Sequence, residues 1–139
     1  MKSVDKELIN AWLYKGKEDL LFAKAAFKDL RMNFYDQICC LCQQAVEKYL
    51  KAVILIKKGK ITKEDKTHNL NVLAKKCKPL IDLSQFKKEL RMLTAAYIPA
   101  RYPNESYFKV FSRQEAQESL AAAERIISFI EERLNKILK

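Results

Sequence analysis

The stretch that starts near Asn33 or Tyr35 and runs to Lys58 carries two apolar stripes at helical spacing instead of one. Ile38, Cys42, Ala45, Tyr49, Ala52 and Ile56 form the first; Cys39, Val46, Leu50 and Val53, with Ile54 beside them, form the second. A helix apolar over so much of its girth must be buried on more than one side. In a chain of 139 residues that implies either a central position or a subunit interface, for which a twofold dimer is the commonest solution. A narrow polar stripe remains, made of Gln43, Gln44, Glu47, Lys48 and Lys51. Only two glycines and three prolines occur, too few to supply the turns of a sheet-rich fold.

Four other helices are readable around this one. Ile9, Leu13, Gly16, Leu20, Ala23, Phe27 and Leu30 recur at alternating spacings of four and three, widened by Trp12 and Phe22. Gly16 on that stripe marks a candidate close approach of another helix. Gly59 and the preceding Lys57 and Lys58 close the second helix, and the lysine-rich linker to Lys66 reads as solvated and mobile. A short third helix runs from about Asn69 to Lys78, capped by Thr67 or Asn69 and stopped by Pro79. The fourth follows Asp82 or Ser84, carries Phe86, Leu90, Leu93 and Tyr97, and is bounded by Pro99. The fifth opens on the capping box Ser112-Arg113-Gln114-Glu115 and continues through Ala116, Leu120, Ala123, Ile127, Ile130, Leu134 and Ile137. The expected fold is all-α: an antiparallel up-down bundle of four long helices plus one short helix, in a single domain over residues 1–139.

A net charge of +10 produces a positive field that favours phosphate-bearing or acidic partners. The lysines are dispersed, so the same charge also fits ordinary solvated helix faces. No apolar run approaches the length of a membrane span and no signal-peptide pattern appears, so a cytoplasmic protein without membrane contact is expected. Cys39, Cys40 and Cys42 point apart on a helix and cannot close around one zinc. With Cys77 they are expected as reduced, buried hydrophobes. No metal site and no cofactor are expected.

The segment Ala100-Arg101-Tyr102-Pro103-Asn104-Glu105-Ser106-Tyr107-Phe108 gathers an arginine, two tyrosines and a carboxylate between two helices. Loops held by rigid helices concentrate binding groups. No Ser–His–Asp or Cys–His set and no glycine-rich phosphate loop is visible, and the chain has one histidine, His68. A di-iron bundle needs two Glu-x-x-His motifs and is excluded. Glu131 and Glu132 read as a solvated face.

Three features together resemble the HEPN family (higher eukaryotes and prokaryotes nucleotide-binding domain). They are Trp12 with Asp19-Leu20 and Ala23; the segment Gln43-Gln44-Ala45-Val46-Glu47-Lys48-Tyr49-Leu50-Lys51-Ala52; and His68-Asn69-Leu70 with Arg101-Tyr102-Pro103. The resemblance covers nearly the whole chain and implies a helical bundle, commonly a homodimer. Many prokaryotic members pair with a minimal nucleotidyltransferase in toxin–antitoxin-like systems; others are metal-independent ribonucleases with an Arg-x4–6-His motif. Arg101 matches that arginine, but Ser106, Tyr107 and Phe108 stand where the histidine should fall. Metal-free RNA cleavage needs a group that titrates near neutral pH, so no catalytic residue is assigned.

The expectation is a non-catalytic nucleotide-binding or partner protein acting with a minimal nucleotidyltransferase. Arg101, Tyr102, Tyr107, Lys48, Lys51 and Glu47 are its nucleotide- or phosphate-binding candidates. Arg101 suits bidentate phosphate binding, or else an ion pair to Glu47 or Glu105. Tyr102 and Tyr107 offer faces to stack a base, or else loop packing. Lys48 and Lys51 share a polar face with Glu47, where a Glu47–Lys51 helix pair is the simpler alternative. Two other functions stay open: a metal-independent ribonuclease using Arg101 with a substitute base, and an interaction bundle without ligand. His68 is expected to pack against or cap a helix end.

Overall fold

The computed structural model describes residues 5–101 and 109–138, with backbone alone at 98–101. Among the described residues five α-helices build an all-α bundle: α1 (Lys6–Lys28), α2 (Tyr35–Lys58), α3 (Leu70–Lys76), α4 (Lys87–Arg101) and α5 (Arg113–Ile137). Single 3-10 turns at Lys63–Asp65 and Ser84–Phe86 precede α3 and α4. Among the described residues no helix is long and apolar enough to cross a membrane.

Helix α2 is the axis of the bundle and packs against α1, α3, α4 and α5. No residue of α2 from Ile38 to Ile56 is exposed. Of the two ways to bury this helix, the chain uses the central position and covers it with its own helices. Both stripes are therefore spent inside one chain, where Ile38, Leu50, Ile54 and Leu55 are each at most 1% exposed. Burying a side chain of this size contributes about 1.5–3 kcal/mol.

Helix α1 crosses α2 at Gly16, where a β-carbon would lie 2.8 Å from the Tyr49 ring and 3.1 Å from the Ala45 carbonyl oxygen. The glycine permits the close approach that its place on the stripe suggests. Ile9, Gly16, Leu20 and Ala23 of the predicted stripe are buried. Leu30 and Phe22 are not, at 74% and 63% exposed: Leu30 lies past the end of the helix, and Phe22 sits on its outer side. Glu131 of α5 also departs from expectation. It accepts from the Tyr49 hydroxyl at 2.8 Å and from Lys17 at 3.3 Å, which ties α1, α2 and α5 together, whereas Glu132 is exposed.

The linker after α2 is organised around a buried carboxylate. Asp65 is fully buried. Its Oδ2 accepts from Lys58 Nζ at 2.8 Å and from the Thr62 backbone N–H at 2.8 Å, and its Oδ1 from Lys76 Nζ at 2.9 Å. Burial raises the Asp65 pKa, but the bonds from Lys58, Thr62 and Lys76 outweigh it and hold the group well below the usual carboxylate range. The segment is thus pinned to α2 and α3, contrary to the solvated reading of its charges. Helix α3 is shorter than predicted, ending at Lys76, and α4 runs through Pro99 to Arg101. A proline there removes one backbone N–H donor without ending the helix.

Candidate functional site

Gln43, Glu47 and Lys51 stand at successive four-residue steps on α2, so their side chains line up along one edge of the helix. That edge faces inward. Gln43, Glu47 and Lys51 are 0%, 8% and 9% exposed. A buried carboxylate is tolerated only when paired and hydrogen-bonded, and Glu47 is both. Its Oε2 accepts from Lys51 Nζ at 2.9 Å, and its Oε1 from Gln43 Nε2 at 3.0 Å. Lys51 in turn lies over the Trp12 ring of α1, 5.7 Å from the centroid, where an ammonium is attracted by the ring face.

The third partner of Glu47 comes from outside the helix. His68 Nδ1 lies 2.8 Å from Glu47 Oε1. Two contacts fix His68 there: Gln43 Nε2 donates to its carbonyl oxygen at 3.0 Å, and the next residues are anchored by the Asn69 cap of α3 and by a bond from Leu70 N–H to Thr94 Oγ1 on α4, 3.0 Å. The imidazole stacks on Tyr97 of α4, with ring centroids 4.6 Å apart. Its side chain is nevertheless 58% exposed. The histidine is a lid on the buried carboxylate, with one edge bound and the other open.

Burial pushes the Glu47 pKa up, but hydrogen bonds from His68, Gln43 and Lys51 outweigh it and bring the carboxyl below its ordinary value. An ionised carboxylate only accepts, so His68 Nδ1 is the donor in this contact, and Nε2 has no hydrogen-bond partner among the described residues. The same logic fixes the Gln43 amide: both partners of its nitrogen are acceptors. Its Oε1 is then buried without a hydrogen-bond partner among the described residues.

The predicted candidates divide accordingly. Glu47 and Lys51 sit at the centre of the cluster. Lys48 is turned to α1, where it pairs with Asp19. Arg101 is the last residue of α4, one helical turn past Tyr97, which sets its backbone at the His68 end of the bundle. Tyr102 and Tyr107 lie outside the described residues, as does Glu105. His68, Gln43 and Tyr97 were not among the predicted site residues. The four-residue ladder on α2 held a signal for Gln43, but His68 joins Glu47 across 21 residues, a separation that periodicity does not reach. His68 does stand at a helix start, as expected, although Asn69 and not His68 caps it. The thiols are elsewhere: all four cysteines are buried and none is in a disulfide.

Comparison with known proteins bears on the fold and the family. No curated protein matches the chain. A solved structure, TT1696 from Thermus thermophilus, superposes with a TM-score of 0.76 at 25% identity, covering 90% of this chain and 97% of the other. ST0689, described as an archaeal HEPN homologue, superposes with a TM-score of 0.66 at 20% identity, covering 94% and 97%. The HEPN domain matches residues 9–134, a span that takes in the α2 ladder, His68 and the end of α4 and leaves out only the chain ends. With the bundle and nearly its full length accounted for, the chain belongs to the HEPN family.

Proposed function

We propose that this chain binds a nucleotide or the nucleotide units of an RNA at the mouth of the Glu47–His68 cluster, without turning it over. One observation carries the reading: a half-exposed imidazole, held from below by a buried carboxylate, stands where α4 ends at Arg101. The exposed His68 ring, backed by the buried Tyr97, offers a stacking surface, and Arg101 is the phosphate-binding candidate. Membership of the HEPN family and the net charge of +10 support the same class of ligand. Calorimetric titration at low salt with ATP, GTP and a short RNA tests it. Binding by the wild type that weakens in both His68→Ala and Arg101→Ala is expected. A wild type that binds none of the three leaves only an interaction bundle without ligand.

The family also motivates two assembly proposals, a homodimer and a complex with a minimal nucleotidyltransferase. Because α2 is covered within the chain, the dimer would need another face; Tyr14, Leu21 and Phe22 leave an apolar one on α1, each more than half exposed. Light scattering at micromolar concentration tests the dimer, and a monomer there removes it. Co-elution of such a nucleotidyltransferase with the chain on gel filtration tests the pairing, and separate elution counts against it.

A second reading is favoured by the same imidazole. With Nδ1 engaged by Glu47 and Nε2 free, His68 has the arrangement of an oriented general base, which is the group a metal-independent ribonuclease would need in place of the missing loop histidine. RNA cleavage in the presence of EDTA that disappears in His68→Ala and in Arg101→Ala would favour it. Cleavage that survives both substitutions would belong to a contaminant.

A further inference from the structure

A second concave surface lies between α3 and α4, about 370 Å³ in volume. Its floor is apolar, with Leu83 and Leu90 at 1% and 0% exposed. Around the floor stand Lys75, Lys78, Lys87 and Arg91, and among the described residues no carboxylate lines the groove. Helix α3 contains no acidic residue, and the single acid of α4, Glu89, turns to Arg125 of α5 at 3.5 Å. Lys78 approaches Asp82 at 3.6 Å with both side chains more than half exposed, a pairing of little strength. Lys75, Lys87 and Arg91 make no ion pair among the described residues.

Four like charges around one hollow repel each other unless an anion lies between them. The fold does not need them: the linker lysines nearby, Lys58 and Lys76, are matched to Asp65, while Lys75, Lys87 and Arg91 make no ion pair among the described residues and Lys78 has only the exposed contact to Asp82. Their spacing around one hollow suits a ligand that carries negative charges at intervals along a chain. The phosphodiester backbone of a single strand has that character, with successive phosphates for the cations.

The groove also continues the cluster already described. Helix α3 begins beside His68 and ends at Lys75 and Lys76, seven residues or about 10 Å on. Helix α4 passes Lys87 and Arg91 at the groove and reaches Tyr97 and Arg101 at the cluster, about 15 Å from position 91 to 101. We infer that the α3–α4 groove is a second nucleotide subsite that holds the phosphodiester backbone of a single-stranded nucleic acid, with its neighbouring nucleotides reaching the Glu47–His68 cluster. This rests on the reading of that cluster as nucleotide-binding and makes the ligand a strand, not a mononucleotide.

The test is fluorescence anisotropy of the full chain with a labelled single-stranded uridine 12-mer at several salt concentrations. The variants are Lys75→Glu/Lys87→Glu in the groove, and Lys6→Glu/Lys28→Glu on α1, no residue of which lines this groove. Both change the net charge equally. The groove variant is expected to lose roughly tenfold or more in affinity and to flatten the salt dependence, by about 0.7 in slope for each phosphate contact removed; the α1 variant should do neither. Equal losses from both variants would reduce the effect to net charge and overturn the subsite. Displacement of the 12-mer by polyglutamate as readily as by unlabelled 12-mer would overturn the nucleic-acid assignment. A wild type that binds no strand at low salt overturns the cluster reading along with the groove. Binding that weakens in His68→Ala while the groove variant binds normally overturns the groove alone.

Discussion

Glu47 Oε1 and His68 Nδ1 meet at 2.8 Å between the middle of α2 and the residue just before the cap of α3. The contact ties the only histidine of the chain to a carboxylate that is 8% exposed. It also links stability to pH. Because the folded pKa of Glu47 lies below its unfolded value, the unfolded chain binds the proton more readily. The resulting stability is present above the ordinary carboxylate pKa, about 4.3, and is lost as pH falls through the lowered folded value. Urea unfolding of the wild type and Glu47→Gln should therefore differ at pH 7 and converge below pH ~4. A gap that stays constant down to pH 3 would deny the carboxylate this role.

Removing the carboxylate altogether should cost more. Glu47→Ala leaves Lys51 buried at 9% exposure and takes away the carboxylate beside its charge, leaving the Trp12 ring. Breaking a buried pair from one side costs about 3–5 kcal/mol. Glu47→Ala/Lys51→Met removes both charges and should recover most of that loss. Denaturant midpoints for the two variants check this, and equal instability of the double variant would contradict the account.

The crossing of α1 and α2 gives a sharper steric test. At Gly16 a β-carbon would sit 2.8 Å from Tyr49 Cδ1, and the ring has little freedom because its hydroxyl donates to Glu131 at 2.8 Å. Gly16→Ala gains about 1 kcal/mol in helix propensity, while overpacking costs about 1–3 kcal/mol. The second effect should win, lowering the melting temperature. Gly16→Ala placed on a Tyr49→Leu background should cost less than on the wild type, and thermal unfolding of all four combinations measures that difference.

The bundle was legible because its signals are local. The Ser112 capping box forms as spaced, with Glu115 N–H donating to Ser112 Oγ at 3.1 Å and Ser112 N–H to Glu115 Oε1 at 3.1 Å. Gly59 ends α2 at φ 81°, in the region glycine favours. The two stripes of α2 named the central helix, though spacing alone did not distinguish a helix covered by its own chain from one covered by a partner. The site was less legible for a related reason. Gln43, Glu47 and Lys51 have the spacing of a solvated polar edge, and what buries them is Trp12 on one side and the segment at His68 on the other. Asp65 looked like linker charge until Lys58 and Lys76 were seen to converge on it from two helices.

Asp65 should then behave as a structural residue. Asp65→Ala deprives Lys58 and Lys76 of their partner and Thr62 of its capping bonds. Loss of about 3 kcal/mol is expected, the low end for a buried pair because both lysines reach solvent. Hydrogen exchange would localise the effect: amides at the end of α2 and in α3 should lose protection before those of α1. Uniform loss over all helices would mean the linker is not a separate anchoring point.

The cysteines offer a probe of opening that leaves the candidate site untouched. Cys39, Cys40, Cys42 and Cys77 are each 0% exposed. Burial pushes the Cys39 thiol up to about 11 and the Cys77 thiol up to about 12. At pH 7 about one Cys39 in ten thousand is then the reactive thiolate, and reagent must still reach it through the packing of α2 against α5, where Ser119 Oγ lies 3.6 Å from its sulfur. Cys77 is enclosed further by the Leu73 carbonyl at 3.4 Å. Labelling by a thiol reagent should consequently be slow in the native protein and complete in denaturant. Its rate should stop rising with reagent concentration once opening becomes limiting. Raising the pH to 9 should then speed labelling little, because access and not ionisation sets the rate. A thiol that labels within seconds in the native protein would show that α2 is not enclosed by its own chain in solution, and the central position of that helix would have to be given up.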